Sequence, residues 1–428
     1  MPRKIPALVL LAGLALAGEE AAPDADAEAL RALRVAMEAK LKIGDAKLAA
    51  GDREGALQAY ADAVAMFEKA SPTPARARAA APQPLPVRPV AAGDAVDRAL
   101  QWLTRCQSLD DGRWDCDEFA RQAGGDGPGR AEHDAGVTGL ALLAFLGAGH
   151  TDRGEDAPYA KTVRSGLRWL ISVQEPDGRI GHRRSTHFIY DQAIATAALC
   201  DAFALTRNPR YRAPAQSAVD FILAARNPYL GWRYGSRTGE NDTSVTGWCV
   251  VALASAEKAG LAVDRTAFQG ALAWVDKMTD PDTGAVGYVM RGGMSARMEG
   301  QQEQFPPDRT EAMTASGVLT RVLCGEDPGA TPAIARGIRR LAAKPPRWDV
   351  EDGSIDLYYW LLGTMALARA NAPELEEWRR SLQEALRPNQ RADGSFDPVD
   401  AWGPAGGRVY ATAVGALCLE AASAKPAN

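Results

Sequence analysis

The chain has 428 residues, of which 46% are hydrophobic and 24% are charged, and its net charge is −5. This length allows more than one domain, and this composition excludes an intrinsically disordered protein. Because Arg and Lys are dispersed among Asp and Glu without a basic run, nucleic acid is excluded as the main partner.

The N-terminus has the layout of a secretory signal peptide. Arg3 and Lys4 precede an apolar stretch from Ala7 to Ala17 that ends in small residues. The stretch is shorter than the roughly 20 apolar residues that cross a bilayer, so an uncleaved anchor is the weaker alternative. We therefore expect residues 1–17 to be a signal peptide and the protein to be exported to the periplasm or cell envelope, with the extracellular space as the alternative. No later apolar run reaches the length of a membrane span without a charge or a Gly.

Residues 26–70 are rich in strong helix formers and contain no Pro. Small and aromatic residues in this segment have the spacing of one tetratricopeptide unit, which predicts a helical hairpin that binds a protein partner. A hairpin that merely extends the N-terminus fits equally well, since one such unit cannot bury its own face. The positions that carry this spacing are Gly44, Gly51, Ala56, Tyr60 and Ala63. Residues 71–92 contain six Pro and predict an extended linker.

From residue 93 to residue 424 the chain repeats a pair of helices six times. The first helix of each pair is amphipathic, as in Ala95 to Leu103, and the second is apolar nearly all round. We expect the second helices to form an inner ring and the first helices an outer ring, which predicts an all-α (α/α)6 toroid. The inner helices are predicted to begin near the following residues: Asp134, Asp191, Asp242, Asp308, Asp356 and Arg408. Five of them carry an early Thr, namely Thr138, Thr196, Thr246, Thr314 and Thr412.

A turn with Gln, Asp, Gly and an aromatic or apolar residue joins the helices of several pairs. It occurs as Gln107 with Asp111 to Trp114, Gln174 with Asp177 to Ile180, and Gln390 with Asp393 to Phe396. These segments resemble the QW-type repeats of squalene and hopene cyclases, whose toroid is shared with protein prenyltransferases. The resemblance covers about 330 residues and implies the fold of the terpenoid-cyclase superfamily, including exported bacterial prenyltransferase and squalene oxidase repeat proteins. For an enzyme it implies a terpenoid cyclase or mutase, although fold alone does not establish a reaction.

The chemistry that the resemblance implies is not intact in the sequence. The closest match to the cyclase acid motif D-x-D-D-T is Gly239-Glu240-Asn241-Asp242-Thr243, in which Asn241 replaces the central acid. The prenyltransferase zinc pattern is also missing, because no His follows Cys249 in the sequence. We therefore expect no metal and no cofactor. The weak catalytic candidates are Asp242, Glu240 and Glu311.

Acidic and aromatic side chains near the inner-helix starts are candidates for ligand binding. Facing carboxylates there would suit a glycosidase, although an acid at a helix start is commonly an N-cap. Aromatic side chains there would stack on a sugar or hold an isoprenoid, although packing between repeats is the commoner role. The candidates are Asp134, Asp191, Trp248, Asp356, Tyr358, Trp360 and Tyr410. The loop from Gly287 to Pro307 is the longest insertion and is a candidate lid.

Cysteine usage predicts one disulfide at most. Cys106 and Cys116 flank a tight turn and are a candidate pair, whereas the other four cysteines lie in apolar helical stretches and fit buried free thiols.

Three functions stay open at this point. The first is a non-catalytic binding or scaffold protein of the cell envelope, with a lipid-like or peptide ligand at the mouth of the ring. The second is an isoprenoid cyclase or transferase that uses a nonstandard acid. The third is a carbohydrate-active enzyme, a glycosidase or lyase.

Overall fold

The structure, a computed structural model, describes residues 92–423 apart from 155–156, 182–184, 186 and 299, together with individual positions between 36 and 62. The chain divides into two compact units, Met1–Leu85 and Pro86–Asn428. In the first unit, Lys40 and Asp62 are helical and form an ion pair of 2.8 Å. The predicted signal peptide, the predicted linker up to residue 91 and the five tetratricopeptide positions lie outside the described residues.

In the second unit, the regular structure of the described residues is helical apart from two isolated bridges. The outer helices are amphipathic and bury one face against the ring, as expected from their apolar spacing. They are α1 (Ala92–Cys106), α4 (Ala160–Ser172), α6 (Pro209–Ala225), α8 (Thr266–Met278), α10 (Pro332–Ala343) and α12 (Leu375–Leu386). A single turn, α2 (Ala120–Ala123), follows the first outer helix.

The inner helices are buried on almost all sides because their sequences are apolar nearly all round. They are α3 (Asp134–Gly147), α5 (Phe188–Thr206), α7 (Thr243–Ala259), α9 (Ala312–Leu323), α11 (Leu357–Arg369) and α13 (Gly403–Ser423). Each packs against the inner helices before and after it, and α13 packs against α3, which closes the ring. The first outer helix packs on α13 as well. The predicted all-α toroid is therefore confirmed.

The Gln of each QW-type turn ties its own pair of helices to the next pair. Gln107 donates to the carbonyl oxygens of Gly112 and Thr162, at 2.8 and 2.9 Å. Gln390 makes the same two bonds, to Gly394 at 2.9 Å and to Ala95 in the first outer helix at 2.8 Å. Because the last turn holds the first helix, these bonds join the two ends of the repeat array.

The early Thr of the inner helices has the same structural role in four of the six repeats. Its hydroxyl oxygen accepts a hydrogen bond from the backbone N–H of the residue that ends the turn, as Thr246 does from Trp232 at 3.1 Å. Thr138, Thr314 and Thr412 do the same for their own turns. In the second repeat, Gln192 takes this place and Thr196 bonds back to the Gln192 carbonyl.

The turn glycines fit closely against the next outer helix, and Gly178 is the clearest case. Gly178 has φ +88°, and a Cβ at this position would overlap the carbonyl oxygen of Ser217. Gly149 has nearly the same φ, +86°, but open space around it. We expect Gly178→Ala to lower the free energy of unfolding by about 3 kcal/mol and Gly149→Ala by only about 1 kcal/mol, measured by urea denaturation. Equal losses would show that backbone strain alone matters at Gly178.

Several expectations about local structure need correction. Helix α5 begins at Phe188, three residues before Asp191, and α9 begins at Ala312 rather than near Asp308. Helix α13 begins at Gly403, but its backbone is broken at Gly407, which has φ +67°, so a helical run does start near Arg408. Asp191 lies within the first turn of α5 beside His133, and Arg408 pairs with Asp397 at 2.7 Å.

The predicted disulfide is wrong. Cys106 and Cys116 are free and fully buried, and the Cys106 thiol donates to the Leu103 carbonyl oxygen at 3.4 Å. Burial raises the pKa of both thiols. Both cysteines therefore act as small apolar core residues, like the four inner-helix cysteines.

One described helix, α5, is long and apolar enough to cross a membrane, although the sequence pattern predicted no such segment. Of its most apolar 18-residue window, 72% is buried inside the ring. Its composition is therefore explained by its position between α3 and α7 in the core.

Candidate functional site

The candidate site lies where the inner helices begin, an end of the ring that we call the N-terminal mouth. Asp242 caps α7, and its Oδ1 accepts from the Val245 N–H at 2.7 Å. Its Oδ2 accepts from the Tyr288 hydroxyl at 3.3 Å, and the Arg233 Nε lies 3.9 Å away. The side chain is fully buried, and this burial raises the pKa of Asp242 to about 7. Asp242 therefore holds a proton close to neutral pH.

A group of tyrosines surrounds Asp242. The Tyr234 and Tyr288 hydroxyls form a hydrogen bond with each other, and both side chains are half-buried. Burial raises the pKa of Tyr190, and the neighbouring Tyr358 and Asp242 raise it further. Tyr358 completes the group from α11 through a 2.5 Å hydrogen bond to Ser244 on α7. The mouth thus presents phenol rings and hydroxyls above a protonatable carboxyl group.

A second buried carboxyl group lies on the neighbouring inner helix. Asp191 is 3% exposed; its Oδ1 is 3.4 Å from the Nδ1 of His133, and its Oδ2 has no hydrogen-bond partner among the described residues. Burial raises the pKa of Asp191, partly offset by His133. Burial also opposes the charge on His133, but the contact with Asp191 outweighs it and raises the pKa of His133. An unpartnered buried oxygen is an open acceptor for a ligand hydroxyl or a water.

A series of aromatic contacts runs from Asp242 toward helix α5. The His187 ring lies edge-on to the Tyr234 ring, with centroids 4.1 Å apart, and Tyr190 lies 6.2 Å from the same ring. Tyr234 contacts Tyr288, which contacts Asp242. These contacts lead from Asp242 on α7 to Tyr190 on α5, the residue that directly precedes Asp191. His182, the other histidine of this loop, lies outside the described residues.

Two catalytic candidates do not belong to this site. Glu311 faces the outer helix α10, where its carboxylate pairs with Arg340 at 2.7 Å and with Lys344 at 3.1 Å. Burial favours a raised pKa for Glu311, but these bonds outweigh it and lower the pKa. Glu240 is exposed and pairs with Arg233 at 2.9 Å. Glu311 is therefore a structural anion, and Glu240 is a surface group at the rim.

Asp134 is held by the first QW-type turn. Its Oδ1 accepts from the Cys116 N–H at 2.8 Å, and its Oδ2 lies 3.2 Å from Arg113. Burial raises the pKa of Asp134 to about 7. With Asp115 and Asp117 it forms an acidic group whose oxygens lie within 4.8 Å of one another. Arg113 offsets part of the negative charge of this group, since it also pairs with Asp115 at 2.6 Å.

Asp356 and Tyr410 are fixed by buried polar contacts. Asp356 caps α11 and pairs with Arg297 of the 287–307 loop at 3.1 Å. The Tyr410 hydroxyl donates to Asp400 at 3.1 Å, and burial followed by the charge of Asp356 raises the pKa of Asp400 to about 7. Both candidates are thus part of the ring's internal packing.

Of the three consecutive aromatics on α11, only the first reaches the centre of the ring. Tyr359 donates to the Lys344 carbonyl oxygen at 2.9 Å, and Trp360 packs against Trp348 with centroids 6.1 Å apart. Trp248 is buried in the middle of α7 and lines a cavity on the opposite side. The three side chains thus have different surroundings, and Tyr358 is the one that contacts α7 beside Asp242.

Sequence reasoning missed His133 and the tyrosines 190 and 234 as site residues. Tyr190 directly precedes Asp191, and Tyr234 follows a QW-type turn by two residues. A local signal was therefore present, but these positions become neighbours only when the successive inner helices α3, α5 and α7 pack side by side.

The raised pKa of Asp242 predicts that the stability of the fold depends on pH. Its value moves from 3.8 in the unfolded chain to about 7 in the fold. Between these values the folded state binds more protons, so the free energy of unfolding falls as pH rises from 4 to 7, by at most about 4 kcal/mol. We expect Asp242→Asn, which retains an N-cap acceptor, to flatten this decline in urea titrations at several pH values. Asp280→Asn is the control; the pKa of Asp280 is lowered, by its backbone hydrogen bond from Thr283, so this substitution should not flatten the decline.

No model of a known family and no curated protein matches the sequence. Among solved structures, the GH76 α-1,6-mannanase of Salegentibacter sp. HEL1_6 is similar with a TM-score of 0.54 and 13% identity, over 78% of this chain and 99% of that chain. A GH76 α-mannanase of Bacteroides thetaiotaomicron gives a TM-score of 0.52 and 10% identity, over 78% and 96%. A type II terpene cyclase of Scytonema gives 0.49 and 14%, over 77% and 97%.

An inactive variant of the Salegentibacter mannanase, with two adjacent aspartates changed to asparagine, has been solved with α-1,6-mannotriose. The predicted α/α toroid is thus confirmed as a fold, and the two of these matches with a TM-score above 0.5 are glycoside hydrolases rather than cyclases. At 10 to 13% identity, these likenesses show that the chain has the α/α toroid fold.

Proposed function

We propose that this protein is an exported carbohydrate-active enzyme that hydrolyses a glycosidic bond at the N-terminal mouth. The observation that carries the proposal is the fully buried Asp242, whose pKa of about 7 lets it hold a proton beside half-buried tyrosine hydroxyls. Glycosidases need one protonated and one ionised carboxyl group flanking the bond that breaks. The fold shared with two glycoside hydrolases supports the same class.

The groups of the mouth have complementary roles in this reaction. As the glycosidic C–O bond breaks, the leaving oxygen takes a proton from the Tyr288 hydroxyl, which Asp242 reprotonates. A water adds its hydroxyl group to the anomeric carbon and gives its other proton to Asp191, whose Oδ2 is unpartnered. The tyrosine rings stack on the sugar, and His133 positions Asp191.

The adjacent pair of aspartates is not reproduced at this helix start, because Asn241 precedes Asp242. The Asn241 amide oxygen accepts from Asn227 at 3.2 Å, so this side chain is occupied by a packing contact. The second carboxylate of the proposal therefore comes from the neighbouring inner helix α5. This arrangement distinguishes the proposed site from a pair carried by one helix.

The test is a screen of the purified protein against polysaccharides, α-1,6-mannan among them, with reducing ends as the readout. We expect at least one glycan to be cleaved, and Asp191→Asn to reduce its turnover by about 100-fold or more without changing the circular dichroism spectrum. Absence of cleavage of all glycans would overturn the enzymatic proposal.

One alternative has an observation in its favour. The loss of the central motif acid at Asn241 favours a non-catalytic glycan-binding scaffold of the cell envelope. In that case a glycan would raise the Tm of the wild-type protein and of Asp191→Asn alike, without release of reducing ends.

A further inference from the structure

A cavity occupies the opposite end of the ring, where the inner helices end. Its volume is about 480 Å³, within the range of small-molecule sites. The wall is mainly apolar and includes Leu146, Val251, Leu361 and Met365, contributed by three inner helices. Trp248 is part of this wall and lies one helical turn after Ser244, which bonds Tyr358 in the mouth. Trp248 also has a hydrogen bond with Tyr358, so it borders both the cavity and the tyrosine group of the mouth.

Two acidic side chains face this apolar space. Asp201 on α5 and Glu420 on α13 both line the cavity. The Oε1 of Glu420 is buried and has no hydrogen-bond partner in the described part of the chain. Burial raises the pKa of Glu420 with no opposing contribution from a cation. An unpaired carboxylate in apolar surroundings is costly, so this group is suited to a ligand that supplies the missing positive charge.

The two cations that line the cavity act on Asp201. Lys258 and Arg369 line it, and both lower the pKa of Asp201, although burial outweighs them and the net shift is upward. Asp201 also has a hydrogen bond to Ser255. Asp201 is thus partly compensated within the protein, whereas Glu420 is not.

The backbone of the ring strengthens the preference for a cation. All six inner helices end near this side, and helix C-termini carry a partial negative charge. The last residue of α3, Gly147, lies so close that a Cβ there would overlap the Oε2 of Glu420. The carboxyl group therefore lies directly against the end of an inner helix, whose dipole disfavours a second negative charge and favours a bound cation.

We propose that this cavity binds an organic amine, a molecule with one ammonium group on an apolar chain. The ammonium group pairs with the Glu420 carboxylate, and the chain lies along the wall formed by Leu146, Val251, Leu361 and Met365. Glu420 offers an anionic lipid no positive charge, and a neutral alcohol supplies none to stabilise the ionised form of Glu420, whose pKa burial raises. This site is independent of the hydrolysis proposed for the mouth.

The experiment is isothermal titration of the full-length protein with n-octylammonium, octan-1-ol and octanoate. We expect n-octylammonium to bind at least about tenfold more tightly than octan-1-ol, a difference of about 1.4 kcal/mol, and octanoate not to bind. Glu420→Gln keeps the shape and removes the charge, so it should abolish the preference for the amine over the alcohol. Glu384→Gln, at an exposed position of α12, is the matched control and should bind as the wild type does.

A second variant tests whether n-octylammonium binds in this cavity. Ala254→Leu places a larger side chain in the cavity wall and should weaken the binding of n-octylammonium by about tenfold or more, because it fills the space that the chain occupies. The proposal is overturned if octan-1-ol binds wild-type protein as tightly as the amine, if Glu420→Gln binds n-octylammonium as the wild type does, or if Ala254→Leu leaves the affinity unchanged.

Discussion

Turnover of the cleaved glycan is expected to fall by about 1,000-fold in an Asp242→Asn variant, because a positioned general acid contributes roughly 10²- to 10⁴-fold. Asn accepts the same N-cap hydrogen bond from Val245, so the helix start and the fold are retained. What is lost is the proton that Asp242 holds near pH 7. For the wild type we expect kcat to decline as pH rises through about 7, as the acid ionises, and the residual activity of the variant to lack this decline.

Asp134→Asn is the matched control for this prediction. Asp134 is also an acid at the start of an inner helix with a pKa raised to about 7, but it is held by Arg113 and the Cys116 N–H. We expect its kcat to stay within about threefold of the wild type, since it makes no contact with the tyrosine group. Equal losses in both variants would show that a change in ring structure, and not removal of the acid, lowers turnover.

The second large effect is a loss of stability, expected from the substitution Arg297→Met. The Arg297 guanidinium is 1% exposed and the Asp356 carboxylate 0% exposed, and the two form an ion pair of 3.1 Å. Removing the cation leaves a buried, unpaired charge, which typically costs about 3–5 kcal/mol. The charge of Asp356 already raises the pKa of the neighbouring Asp400, so no cation replaces Arg297 there. We expect the free energy of unfolding, measured by urea denaturation, to fall by this amount.

The double variant Arg297→Met/Asp356→Asn separates the ion pair from the other contacts of Arg297. It removes both charges and retains the cap of α11, so most of the lost stability should return. Arg347→Met is the surface control: its side chain is 62% exposed and pairs with Asp349 at 3.5 Å, so it should cost less than about 1 kcal/mol. If the double variant is no more stable than Arg297→Met, the loss arises from the Arg297 bond to the Phe305 carbonyl oxygen, at 3.0 Å, which anchors the 287–307 loop.

The fold was predictable because its signals are local and repeated. Gln107, Gln174 and Gln390 each stand four or five residues before a Gly, and each bonds to its own turn and to the following outer helix. An amphipathic helix followed by an apolar one has few ways to bury both faces. Six copies of this pattern therefore predicted both layers and the closed arrangement.

The site was only partly predictable because its contacts are not local. Asp191 and Asp242 were expected at the mouth as acids at inner-helix starts, and both lie there. Glu311 has the same sequence context, yet it turns outward to Arg340, which comes 29 residues later on another helix. Nothing near Glu311 in the sequence distinguishes it from Asp242. Side-chain direction was decided by charged partners on the outer ring that periodicity does not reveal.

The hydrogen bond from Gln390 to the Ala95 carbonyl oxygen has a consequence for synthesis of the chain. These two residues are separated by 295 positions, so α1 lacks its final neighbours until the last repeat has been made. Contacts between such distant residues slow folding, because a long loop must close before they form. A premature stop codon within the last repeat would remove α13, against which both α1 and α3 pack, and so would expose apolar surface at the beginning of the domain as well as at its end.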